Sequence, residues 1–179
     1  MGSHNEALIR AQSISKNGLV TTTYADDGMV KGQCFHIRKR LTLTSGQTYY
    51  VAFDLTANSD KTLFSLPLEM TTAGGCVFVD TYGADSYTGG TSITPIKMNA
   101  MGTQNALAVV KEGVTPTGGP YSLREYIVGT LSTNQSSGSG SGMIDTPKVL
   151  NPAKPIIFKL VNQETSTVIL NINFIWYEI

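Results

Sequence analysis

The chain is short of the residues that carry most enzyme and metal chemistry. It has two cysteines, Cys34 and Cys76, and two histidines, His4 and His36. Two thiols do not make the disulfide lattice of a small secreted scaffold, and the sequence leaves open whether they pair. Zinc would need a further soft ligand beside Cys34 and His36. Cys76 is the sole candidate, and the spacing fits no zinc motif. Cys34 and His36 share one face of a strand about 6.5–7 Å apart by rise alone, too far for the imidazole to activate the thiol.

Charge is equally scarce. Thirteen Lys and Arg balance thirteen Asp and Glu, together 15% of the chain, where an average soluble domain carries about 25%. That excludes a basic track for nucleic acid and leaves little repulsion to keep copies apart. No apolar run reaches the roughly 18 residues of a membrane span, and no charged-then-apolar leader opens the chain, so synthesis in a cytoplasm without export is expected. The GxGxxG and GxxxxGK[ST] patterns are absent, so no phosphate cradle is expected. Asp26, Asp27, Asp54, Asp60, Asp80, Asp85 and Asp145 follow no calcium-loop spacing and read as turn or solvated carboxylates. Nothing singles out a glycosidase pair among the acids. No catalytic residue, metal or cofactor is expected.

What is present is alternation. Val168, Leu170, Ile172, Phe174 and Trp176 fall on every second position, which puts all five on one face of a strand. The other row, Thr167, Ile169, Asn171, Asn173, Ile175 and Tyr177, is polar in the middle and apolar at its ends. Ile169, Ile175 and Tyr177 are therefore candidates for a surface covered by another subunit. Ile156, Phe158 and Leu160 alternate just upstream, and the polar stretch 162–166 has the length of a hairpin loop. Further rows are Phe35, Ile37, Leu41 and Leu43, with Lys39 interrupting; Tyr49, Val51, Phe53 and Leu55; Phe64, Leu66, Leu68 and Met70; and Cys76, Phe78, Asp80 and Tyr82. The Lys39 interruption predicts a solvent-facing middle or a bulge. Pro67, which has no N–H, predicts an edge or bulge in its strand.

Residues 91–99, 105–111 and 125–131 read as further strands. Residues 83–90, 112–120 and 132–142 read as Gly-, Pro- or Ser-rich loops. Residues 7–15 carry a feeble helical stripe, and 19–24 a weak strand pattern. Eight or more short strands, turn chemistry between them and no long helix predict an all-β antiparallel sandwich or jelly roll. Residues 1–4 look like an expression-vector remnant, residues 5–30 form a short irregular N-terminal arm, and residues 31–179 form one sandwich domain. Tyr82, Tyr87 and Tyr121, in or beside Gly-rich loops, are candidates for stacking on sugars or protein partners.

Several segments together resemble the small virion proteins of tailed bacteriophages, the head decoration (cement) or head-fibre β-sandwich type. They are Gly32-Gln33-Cys34-Phe35 leading into a strand, residues 49–55, the Gly-Gly turn before Cys76-Val77-Phe78-Val79, and the pairs Gly90-Thr91 and Gly129-Thr130. The endings Phe158-Lys159-Leu160-Val161-Asn162 and Phe174-Ile175-Trp176-Tyr177-Glu178 complete the set. The similarity spans residues 30–179, and Met98-Asn99-Ala100 departs from it by lacking an arginine. It implies a non-enzymatic virion protein, a homotrimer that binds the major capsid protein on the capsid surface. Residues 5–30 are then expected to reach the capsid, with the 83–90 and 132–142 loops facing outward. The alternative expectation is a carbohydrate- or receptor-binding jelly-roll module of a phage tail or fibre.

Overall fold

The computed structural model describes residues 11–15, 18–22, 33–58, 63–99, 102–118, 121–129, 140–143, 148–150 and 153–178. For 11–15, 18–22, 63–68, 121–124, 126, 140–143 and 148–150 it describes backbone alone. The described residues form strands Ala11–Ser15 (β1), Gly18–Thr22 (β2), Cys34–Leu43 (β3), Thr48–Asp54 (β4), Leu63–Ala73 (β5), Val77–Gly83 (β6), Ser86–Ile93 (β7), Ile96–Lys97 (β8), Val109–Thr117 (β9), Tyr121–Val128 (β10), Gly140–Met143 (β11), Lys148–Leu150 (β12), Ile156–Asn162 (β13) and Val168–Glu178 (β14). A single 3-10 turn sits at Thr56–Asn58.

The pairing is nested. β3 pairs β14, β4 pairs β13, β5 pairs β11 and β12, and β6 pairs β10, all antiparallel. The pairs β14–β5 and β13–β6 then close the folded ribbon on itself. The result is two sheets, β11–β5–β14–β3–β8 (with β12 also on β5) and β10–β6–β13–β4–β9–β7. This is the strand order of a jelly roll. β1 and β2 pair only with each other among the described residues.

The inner rows of the two sheets meet in one core. Phe35, Ile37, Leu41 and Leu43 of β3 and Val168 through Trp176 of β14 face Val51 and Phe53 of β4, Val77 and Val79 of β6, and Ile156, Phe158 and Leu160 of β13. The aromatic rings meet mostly edge to face: Phe53 on Trp176 at 4.9 Å, Phe53 on Phe174 at 5.1 Å, and Phe158 on Phe174 at 5.5 Å between centroids. Such pairs contribute beyond their buried area. Lys39 falls on the same row but keeps 35% of its side chain exposed. Its ammonium pairs with Glu112 of β9, whose other carboxylate oxygen accepts from the Tyr49 hydroxyl at 3.2 Å. The β3–β14 register is unbroken at Lys39, so no bulge is needed.

The ends of the sandwich are tied by polar side chains. Asn162 is buried where the chain leaves one sheet for the other. Its Nδ2 donates to the carbonyls of Leu43, Thr44 and Ser166 at 3.0, 2.9 and 2.8 Å, and its Oδ1 accepts from the Glu164 N–H at 2.8 Å. Beside it, Gly75 at φ 144° leaves room that a Cβ would take from the Glu164 side chain at 2.3 Å, and Glu164 accepts from the Cys76 N–H. At the far end the buried Glu178 carboxylate accepts from the N–H groups of Leu107 and Ala108 and from Trp176 Nε1 at 2.8, 2.9 and 3.0 Å.

Several expectations change. β13 and β14 are not a hairpin: they lie in different sheets, and residues 163–167 carry the chain across the edge of the sandwich. Residues 83–90 and 112–120 are not loops but largely strand, because β7 and β9 pair from Ser86↔Thr117 to Ile93↔Val110. Gly90 and Gly113, at φ 85° and 67°, fall opposite each other in that register. A Cβ on Gly90 would meet Val114 at 2.6 Å, so glycine permits a kinked ribbon here rather than marking a loop. The expected strand at 91–99 is cut to β7's end and the two-residue β8, and the one at 105–111 begins only at Val109. Residues 11–15 are strand, not helix, and 140–142 of the expected Ser/Gly loop pair with β5. Residues 131–139 and most of the arm lie outside the described residues. Pro67 falls at the register shift between Phe174↔Leu68 and Trp176↔Ser65, where no ladder bond is required of it.

Asn162→Ala should remove three carbonyl partners and one amide partner together. A loss of about 2–4 kcal/mol is expected, since each stranded buried group costs about 1–3 kcal/mol. Urea unfolding of the variant measures it; a loss below about 0.5 kcal/mol, the range of a plain surface change, would remove the corner from the account of stability.

Candidate binding faces and sites

Among the described residues no three His, Cys, Asp or Glu side chains gather as a metal site, and no helix is long and apolar enough to cross a membrane. Both cysteines are buried and free. Cys34 opens β3, while Cys76 lies beside the corner near Leu43, as the Gln163 N–H bond to its carbonyl shows. The ten residues of β3 separate these ends by roughly 30 Å, so the two thiols cannot pair. Burial pushes the Cys34 thiol up to about 11, the opposite of an activated nucleophile. Burial and the Arg38 charge hold His36 below its usual range, outweighing an opposing Asn173 hydrogen bond.

Tyr82 and Tyr87 are not free rings. Tyr82 lies on β6 and is buried with Ala52, Ala84, Val114 and Ile157 in a small second cluster on the outer face of its sheet. Tyr87 packs against the same cluster. Its hydroxyl donates to Asp54 Oδ2 at 2.9 Å and the Lys111 ammonium stands 5.7 Å from its ring centroid. Burial, then the bond and charge of Asp54, push its phenol up to about 12. Tyr121 starts β10 opposite Gly83, and its side chain is outside the described residues. On β14, Tyr177 is only 4% exposed in the single chain, so it has almost no surface to offer a second copy. Ile169 and Ile175 are half-buried and flank the polar middle of their row.

Two surfaces stand out that the sequence patterns did not single out. The first is an apolar edge. β8 pairs with Phe35 and His36, and the Met98 N–H donates to the Cys34 carbonyl at 2.9 Å. Leu107 is held by Glu178, whose own N–H donates to the Gln33 carbonyl at 3.1 Å. These bonds bring both segments to the end of the β3–β14 pair. Ile96, Met98, Leu107 and Val109 there are 37% to 53% exposed.

The second is a groove of about 420 Å³ on the outer face of β5–β14–β3. Strand register builds it in two rungs: Arg38 opposite Asn173 opposite Glu69, and Arg40 opposite Asn171 opposite Thr71. Asn173 Nδ2 donates to Glu69 Oε2 at 3.0 Å, and Asn171 Nδ2 to Thr71 Oγ1 at 3.3 Å. The signal in the sequence was the alternation Arg38, Arg40 and Asn171, Asn173; only the register makes them neighbours.

No family model and no curated protein matches the chain. Among solved structures it aligns with infectious bursal disease virus, Gt strain, at 16% identity, over 95% of this chain and 44% of that chain, with a TM-score of 0.19. It also aligns with the VP2 subviral particle of infectious bursal disease virus at 16% identity, over 96% of this chain and 46% of that chain, with a TM-score of 0.20. The chain thus spans less than half the length of the chains it aligns with. At such TM-scores the jelly-roll assignment stands on this chain's own strand order.

The Cys34 thiol is neutral in the fold up to about pH 11, against an ordinary value of 9.0. Its contribution to stability is whole below about pH 9 and is lost as pH rises through about 11. Neither cysteine should react with a disulfide reagent at pH 8 until denaturant is added, when both should. Rapid labelling of Cys34 in the native protein would show that the β3 end opens.

Proposed function

We propose that the chain is a non-enzymatic virion structural protein of the capsid-decoration kind, which binds the assembled head surface as a homotrimer and stabilises it. The observation that carries this reading is the open apolar edge at Ile96, Met98, Leu107 and Val109. Four large aliphatic side chains left to water at one end of a closed sandwich favour burial against another protein, and a surface of balanced, sparse charge opposes it little. A protein that binds only the assembled lattice stabilises that lattice by mass action.

The arm supports the same reading. β1 and β2 form a two-stranded ribbon, which is marginal by itself and has two edges that can add to another chain's sheet. Residues 5–30 are the part proposed to reach the major capsid protein. Ile169 and Ile175 are the remaining candidates on β14 for contact between copies, with Tyr177 withdrawn.

Light scattering should give the mass of three copies at micromolar concentration, and a stable monomer would overturn the trimer. The full chain should co-sediment with assembled heads of its own phage and not with free capsid subunits. Ile96→Asp with Met98→Lys should weaken that binding at least tenfold with an unchanged melting temperature. Removing residues 5–30 should abolish it while the sandwich still unfolds cooperatively. Full binding by both variants would exclude these contacts, and failure of the intact chain to bind heads would exclude the decoration role.

A further inference from the structure

We propose that the outer groove of the β5–β14–β3 sheet is a binding site for a carboxylated glycan, a sugar acid such as a uronic or sialic-type residue. The reading is independent of the capsid role and rests on the chemistry of the groove.

Its donors are set out in register. Residues directly opposite each other across strands have Cβ atoms about 4.5–5.5 Å apart, and the two rungs stand about 6.5–7 Å apart along the strands. Arg38 and Arg40 are both exposed, and neither guanidinium has a hydrogen-bond or ion-pair partner among the described residues. Glu69 and Thr71 instead hold the amides of Asn173 and Asn171. That leaves two free planar forks beside two oriented amides, a carboxylate and a hydroxyl.

A guanidinium binds a carboxylate through two parallel hydrogen bonds. The amide N–H groups, a threonine hydroxyl and a carboxylate supply both donors and acceptors for sugar hydroxyls. The volume, about 420 Å³, lies within the range of small-ligand sites and suits one or two sugar rings.

What the groove lacks narrows the class. No aromatic ring is among the described residues that line it, so a neutral sugar has no flat face to stack on and the acid group must supply the anchor. Ile172, the one large apolar residue among the described residues lining it, turns its side chain into the core, which leaves a protein partner no aromatic or aliphatic anchor there of the kind that dominates protein interfaces. Two unpaired arginines among the described residues of the groove, in a chain with no net charge, are far fewer cations than a nucleic-acid backbone engages.

The test uses the full chain, with a galacturonic-acid trisaccharide, its methyl ester and a short poly-glutamate peptide as probes, followed by NMR chemical shifts at physiological salt. The acid should bind saturably and shift the Asn171 and Asn173 side-chain amides. The ester should bind at least tenfold more weakly. Arg38→Ala and Arg40→Ala should each weaken the acid at least fivefold. The double Arg→Lys variant, which keeps the charge and loses the fork, should also weaken it at least fivefold with an unchanged melting temperature. Equal binding of acid and ester, undiminished binding by the Arg→Lys variant, a tighter poly-glutamate complex, or no saturable binding at millimolar acid would each overturn the proposal. None of these outcomes bears on capsid binding, which is read separately by co-sedimentation.

Discussion

Among the described residues the two sheets share no ladder hydrogen bonds, so what fixes one against the other is apolar contact, the Lys39–Glu112 pair and the ties at the ends. Asn162 is the tie on which the rest depends. Its one amide gathers the last carbonyls of β3, the turn after it and the start of the β14 approach. The Asn162 N–H also donates to the Gln47 carbonyl ahead of β4. Four strands from two sheets are thereby brought to one buried residue. Apolar contact alone is tolerant of sliding; a buried amide with each partner in place is not, because any shift strands a polar group. Glu178 acts in the same way at the opposite end, holding the segment before β9 and the Trp176 indole with one carboxylate.

Alternation made the core legible. The rows beginning at Phe35, Tyr49 and Val168 face inward as the period of two requires, and no long helix occurs among the described residues; on β6 the row is inverted, with Val77 and Val79 facing the core and Tyr82 the outer cluster. Pairing was not legible, for a physical reason. A row of apolar residues says which face is buried but not which strand lies alongside, and β13 and β14, read as a hairpin, present their rows to one core from opposite sheets. Glycine misled in a similar way. In the β7–β9 ribbon it serves paired left-handed positions inside a strand pair, and composition cannot separate that from a loop. Tyr177 shows the limit for surfaces: an apolar residue on the outer row was read as awaiting a partner, whereas its own chain already covers it.

The outer groove was hidden by the same gap between pattern and pairing. Arg38 and Arg40 are separated from Asn171 and Asn173 by more than 130 positions, and from Glu69 and Thr71 by about 30. They become one surface only because β14 runs between β3 and β5. The central place of β14 is itself a product of the nested pairing, which returns the last strand to lie beside the first long one.

Arg38, Lys39 and Arg40 show how interior and exterior are specified together. Three consecutive basic residues on a strand must divide between its two faces. A slip of one position would send two guanidinium groups between the sheets and leave one ammonium outside. The interior offers the Glu112 carboxylate, backed by the Tyr49 hydroxyl, to the single cation that enters. A second cation on that row would find no carboxylate of its own among the described residues. Glu112 thus selects the register in which one cation is neutralised inside. The same register leaves two arginines outside, opposite the asparagines of β14. The inner ion pair and the outer groove are two faces of one constraint on β3: a substitution at Glu112 would relax the register of the strand that carries Arg38 and Arg40.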